Sequence, residues 1–214
     1  MRSSLRLLFL LFLLALPVAC GQTAPSPHYD PPVVPVPNVT SLSSAVGTAE
    51  GGAPVTIMGT NFTPGSTVRF GGIGVRATLY GGALFVLAPA HGTGMVDIEV
   101  ANTGQSQTSV LAGAYSFVEP STLDFNGSWN GYFAESEIQI AITVEDNTVT
   151  AVSCGSAVLE MSPSPTISNG RFAYTGPAGS VTGRILSPKW AEGTMSLGPC
   201  SGPNHTPDYW GASK

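Results

Sequence analysis

The chain has 214 residues, with eight Lys and Arg against thirteen Asp and Glu, a formal net charge of −5 and only 10% charged residues. Arg69, Arg76, Arg171, Arg184, Lys189 and Lys214 are scattered rather than clustered, which argues against a surface for phosphate backbones and hence against a nucleic-acid partner. Abundant glycine and proline (26 and 18 residues), with many Ser, Thr and Val, is the composition of a β-protein rich in turns and poor in helix.

Residues 1–19 read as a secretory signal: Arg2 and Arg6 precede an apolar run from Leu7 to Leu16, and Pro17-Val18-Ala19 supplies a small-residue exit. The run is shorter than the ~20 apolar residues that a helix needs to cross a bilayer core. Leu16-Pro17-Val18-Ala19-Cys20-Gly21 resembles a bacterial lipoprotein signal, although Pro17 stands where that family usually has leucine. The resemblance implies cleavage before Cys20 and lipid attachment to it. Several acyl chains, each methylene contributing about 0.8 kcal/mol, would make the membrane attachment durable. Cleavage would leave six basic residues against thirteen acidic ones, a formal net charge of −7.

From Cys20 to Val36 the sequence reads as a tether, because Pro25, Pro27, Pro31, Pro32 and Pro35 fix φ and remove donors. Such a segment extends ~3.1 Å per residue and would hold the folded part clear of a membrane. The rival reading is a Pro-rich recognition motif.

Residues 37–118 show short β-type runs broken by glycine and proline, as in a sandwich. In Val55-Thr56-Ile57, Val68-Arg69-Phe70 and Val96-Asp97-Ile98-Glu99-Val100 every second residue is apolar, so one face can be buried. Leu84 to Leu87 is a continuous apolar run suited to a central strand. The ordered segments Gly51-Gly52-Ala53-Pro54-Val55-Thr56-Ile57-Met58-Gly59-Thr60-Asn61-Phe62, Val68 to Gly72, Ala88-Pro89 and Gly94 to Val100 resemble an IPT/TIG domain. That resemblance implies an immunoglobulin-like β-sandwich used for interaction or spacing, and it supplies no chemistry. Positive-φ turns are expected at Gly59, Asn61 to Gly65 and Gly71-Gly72, with Phe62 as an aromatic plug.

Residues 121–214 are expected to form a small antiparallel β-barrel or sandwich, making the chain all-β. Ile138, Ile140, Ile142 and Val144 alternate with polar or small residues. Glu145-Asp146-Asn147-Thr148 then turns the chain so that Val149 to Cys154 pairs back. Further strands are expected at Ala157 to Met161, Arg171 to Tyr174, Ser180 to Leu186 and Thr194 to Leu197. Asn126-Gly127-Ser128-Trp129-Asn130-Gly131-Tyr132 opens this unit. It is similar in outline to a Gly-x-Trp-x-Gly β-domain of unassigned role in secreted bacterial lipoproteins.

With Cys20 assigned to lipid, Cys154 and Cys200 are an even pair in an exported domain, most economically one disulfide. The alternatives are a two-cysteine metal site or a reactive thiol, but His205 is the only histidine nearby and no Cys-x-x-Cys occurs. His28, His91 and His205 read as surface residues, and no metal or cofactor is implied. Glu135, Glu137, Glu145 and Asp146 could be imagined as a glycosidase pair, yet acids alternating near a turn are ordinarily solvated. Trp129, between glycines, reads as core. Trp190, Tyr209 and Trp210 are the candidate ligand-binding aromatics, able to stack on sugar rings. The expectation is a non-enzymatic protein, lipid-anchored to the bacterial cell envelope, with binding or structural β-modules and an envelope protein or polysaccharide as partner. The alternatives are a carbohydrate-binding surface lipoprotein and an extracellular hydrolase.

Overall fold

A computed structural model describes residues 35–134, 136–200 and 208–214. The expected signal, Cys20, most of the tether, Glu135 and His205 lie outside the described residues. Among the described residues, no helix is long and apolar enough to cross a membrane.

Nine strands build the first part: β1 (Asn38–Leu42), β2 (Val46–Thr48), β3 (Pro54–Thr60), β4 (Thr67–Phe70), β5 (Ile73–Arg76), β6 (Thr78–Tyr80), β7 (Ala83–Leu87), β8 (Gly94–Ala101) and β9 (Thr108–Val118). They form a four-stranded sheet in the order β1-β3-β7-β6 and a five-stranded sheet in the order β2-β9-β8-β4-β5. The first stretch of chain serves both sheets: β1 pairs antiparallel with β3, whereas β2 pairs parallel with β9. Alternation supplies the core between them. Val55 and Ile57 of β3, Leu84 and Val86 of β7, Val68 and Phe70 of β4, and Val96, Ile98 and Val100 of β8 are all buried in one cluster.

Leu84 to Leu87 departs from expectation in its exposure. It lies inside its sheet, between β3 and β6, but only one face is covered, so Phe85 and Leu87 are 43% and 61% exposed. Tyr115 lies in the core, edge-on to Phe70 at 5.1 Å and to Phe117 at 5.0 Å. Its hydroxyl has no hydrogen-bond partner, and burial pushes the phenol well above its ordinary pKa. The expected turn chemistry is present at Asn61, Gly65, Gly71 and Gly72, all with positive φ, but not at Gly59, which lies within β3 without positive φ. Phe62 packs over Gly59, where a Cβ would lie 2.6 Å from its ring. Buried Asn102 ties this end together: its Nδ2 donates to Pro35 O and Asn61 O, each at 2.7 Å, and its Oδ1 accepts from Ser66 Oγ at 2.7 Å.

After a short 3-10 turn, Pro120–Thr122, eight more strands follow. They are β10 (Gly127–Phe133), β11 (Gln139–Glu145), β12 (Thr148–Cys154), β13 (Ala157–Val158), β14 (Arg171–Gly176), β15 (Gly179–Ser187), β16 (Trp190–Leu197) and β17 (Asp208–Ser213). They form one antiparallel sheet in the order β13-β12-β11-β10-β17-β16-β15-β14, two meanders joined where β10 pairs with β17. The inward residues of strands far apart in that order, such as Val152 of β12 and Phe172 of β14, share one core, so the sheet curls around it. Trp129 is in this core as expected, 1% exposed, with Nε1 donating to Phe125 O at 3.0 Å. Ile140, Ile142 and Val144 point inward, and Asp146 and Asn147 take positive φ in the hairpin turn. The expected strand from Ala157 to Met161 is only two residues long.

Cys154 at the end of β12 is bonded to Cys200, just beyond β16, with Cα atoms 6.2 Å apart, as the cysteine count implied. The two cores meet through Leu186. It belongs to β15 yet is 0% exposed within the cluster of the first sandwich, because alternation turns it to the face opposite Ile185, whose side chain is in the second core.

Candidate functional site

The outward face of β14 to β17 carries a groove of about 890 Å³. Alternation places Arg171 and Ala173 of β14, Thr182 and Arg184 of β15, Trp190, Glu192 and Thr194 of β16, and Tyr209 and Gly211 of β17 on that face. Register then aligns them in rows across the sheet. One row runs Ala173, Thr182, Thr194, Tyr209, and the next runs Arg171, Arg184, Glu192, Gly211.

The charged row is internally compensated. Arg184 donates from Nε and Nη2 to Glu192 Oε1, at 3.0 and 2.6 Å, while Arg171 donates from Nη2 to Glu50, in the turn after β2. The hydroxyl row is joined by Thr182 Oγ1 and Thr194 Oγ1, 2.8 Å apart.

Glycines let aromatic rings approach the backbone closely on both sides of this sheet. A Cβ on Gly211 would fall 2.7 Å from the Trp190 ring, so Trp190 on β16 rests across β17 on the groove side, two residues along the strand from Tyr209. On the core side, the rings of Phe172 and Trp210 occupy the space that side chains on Gly183 and Gly193 would fill.

Of the three candidate aromatics, Trp190 and Tyr209 are therefore brought to one face. Tyr209 is 67% exposed, and Trp190 is partly buried, with one flank against the core of the first sandwich. Trp210 corrects the expectation: although it borders the groove, it is only 2% exposed and stacks on Phe172 at 6.4 Å in the core. The reason is that neighbours on a strand point to opposite faces. Sequence reasoning missed Arg171, Arg184, Glu192, Thr182 and Thr194 as groove residues. The alternation Trp190, Glu192, Thr194 was the available signal.

The acids weighed for a hydrolase are not gathered in the groove: Glu137, Glu145 and Asp146 are exposed on turns or strand ends. Among the described residues that line the groove, Glu192 is the one carboxylate, and it is bonded to Arg184. His91 is partly buried rather than at the surface, stacked on Phe117 at 4.8 Å. Among the described residues, no group of three or more His, Cys, Asp or Glu is placed to hold a metal ion.

No curated protein sequence matches the chain. Among solved structures, an auxiliary nutrient binding protein from Bacteroides thetaiotaomicron is similar at 10% sequence identity and a TM-score of 0.33, over 77% of this chain and 47% of that one. The chain thus spans about half the length of that protein. Residues 37–117 match the family model described as IPT/TIG domain, and the sandwich of β1 to β9 has the two-sheet architecture expected of it. The chain carries an IPT/TIG domain over residues 37–117.

Proposed function

We propose that the protein is a non-enzymatic binding module of the bacterial cell envelope, held by a lipid on Cys20 and spaced from the membrane by residues 20–36. In this reading the IPT/TIG domain, residues 37–118, supports a ligand-binding β-domain, residues 121–214. The observation that carries it is the groove across β14 to β17, wide enough for a ligand and lined by aromatic, hydroxyl and mutually paired charged side chains. The one carboxylate among its described residues is engaged by an arginine, whereas hydrolysis of a glycosidic bond uses two carboxyl groups facing each other across the bond.

The test is a thermal-shift screen of the folded protein against soluble oligosaccharides, peptides and phospholipid headgroups. Stabilisation by a library member that disappears in Arg184→Ala is the expected result. Conversion of that ligand to products, followed by mass spectrometry, would overturn the non-enzymatic reading. The anchor is tested separately: Cys20→Ala should move the protein from the membrane fraction to the soluble fraction, and persistence at the membrane would refute lipid attachment.

A further inference from the structure

The ligand of a groove is constrained by what its walls leave unsatisfied. Among the described residues that line it, neither charge sign is in surplus: Arg184 is held by Glu192 through two hydrogen bonds, and Arg171 is held by Glu50. An anionic ligand would meet arginines whose charge is already balanced by carboxylates, and it would approach a chain whose formal net charge, once residues 1–19 are removed, is −7. A peptide that binds by strand addition would have to use the outer edge of β14 at the rim of the groove, because β15, β16 and β17 are paired on both sides and leave no edge along its middle. An acyl chain would strip water from both ion pairs without replacing it.

What the groove does offer is planar and polar at once. Tyr209 stands 67% exposed, and the Trp190 ring lies against Gly211 two residues away along β17, a step of ~7 Å on an extended strand. Beside them lie the linked hydroxyls of Thr182 and Thr194 and the fork of Arg184 with Glu192, which can donate and accept together. The groove crosses four strands, three interstrand spacings or ~14 Å, the scale of a short run of linked rings.

Resting on the proposal that this groove binds a ligand, we infer that its ligand is an uncharged saccharide chain. Ring faces stack on Tyr209 and Trp190, and vicinal hydroxyls bond to the threonine row and to the Arg184–Glu192 pair. Aromatic faces match the apolar C–H faces of sugar rings, while paired charges serve neutral hydroxyls without demanding a counter-ion.

The experiment is titration calorimetry with neutral oligosaccharides and acidic ones, such as oligogalacturonate, as the probes, at low and high salt. A neutral oligosaccharide should bind with an affinity nearly independent of salt. Tyr209→Ala should weaken it roughly tenfold and Tyr209→Phe much less, because stacking survives without the hydroxyl. Thr194→Val should also weaken binding, with the melting temperature of each variant measured alongside. Stronger binding of the acidic series, with affinity falling as salt rises, would overturn the inference, as would equal effects of Tyr209→Phe and Tyr209→Ala. If the wider screen instead yields a peptide or headgroup whose binding is lost in Arg184→Ala, the saccharide inference falls and the binding groove stands. If no library member depends on the groove, both fall.

Discussion

Leu186→Ala should uncouple the two β-units. The leucine projects from β15 into the core of the sandwich with no exposed surface, and its Cδ1 lies 3.4 Å from where a Cβ on Gly52 would sit. Truncation removes three carbons worth roughly 0.8 kcal/mol each. Gly52 has no side chain to move into the void, and its φ of +89° is a turn conformation that resists rearrangement, so a cavity remains. The expected loss is about 3–4 kcal/mol, or roughly 10 °C in Tm for a protein of this size. The ion pair between Arg171 and Glu50 spans the same junction, but its side chains are 54% and 34% exposed, so Glu50→Gln should cost under ~1 kcal/mol. The assay follows from where the tryptophans lie. Trp129 and Trp210 lie in the core of the second unit while Trp190 packs against the first, so in a Trp190→Phe background fluorescence reports melting of the second unit, whereas calorimetry reports both units. In Leu186→Ala the calorimetric trace should split, with one transition preceding the fluorescence change. A single transition coincident with fluorescence and within a few degrees of wild type would refute the claim that this one leucine locks the units together.

Reduction, or Cys154→Ser with Cys200→Ser, opens a link between residues 46 apart and should cost about 4 kcal/mol, read as a lower urea midpoint; an unchanged midpoint would remove the bond from the stability account. Tyr115 keeps its proton in the folded state beyond the pH at which a free tyrosine, near 10, loses it. Between those two values the unfolded chain binds fewer protons, so stability is constant below about pH 10 and declines above it. Tyr115→Phe, which deletes a buried hydroxyl with no partner, should leave neutral-pH stability equal or raise it by up to ~1 kcal/mol and flatten that alkaline decline in denaturant titrations. Gly211→Ala should drive a Cβ against the Trp190 ring, costing roughly 1–3 kcal/mol, and shift tryptophan emission as the ring leaves its seat. Unaltered emission would show that the ring is not pinned there.

Elements whose burial is one-sided were legible because alternation survives in the sequence: Val55 and Ile57, Val96 to Val100, and Ile140 to Val144 each point inward as their spacing implied. Short strands such as Thr78–Tyr80 hold too few residues to show a period, and the strand over Thr108–Val118 mixes small and apolar residues on both faces. The groove was legible only in fragments, for a reason of register. Trp190 and Tyr209 are nineteen positions apart, and nothing local to either places them together; β16 must pair with β17 so that Thr194 faces Tyr209 and Glu192 faces Gly211. Gly183 and Gly193 likewise read as isolated strand glycines until pairing sets them opposite each other under Phe172 and Trp210. Leu186 was hardest, since Ile185-Leu186 looks like any apolar pair; alternation sends the two to opposite faces, and only the position of the first sandwich makes the second face a core as well. Alternation tells which side of a sheet a residue occupies, but a binding surface depends on which residues stand beside it on the next strand, and in this groove that is set by the register of the β14-β15-β16-β17 meander.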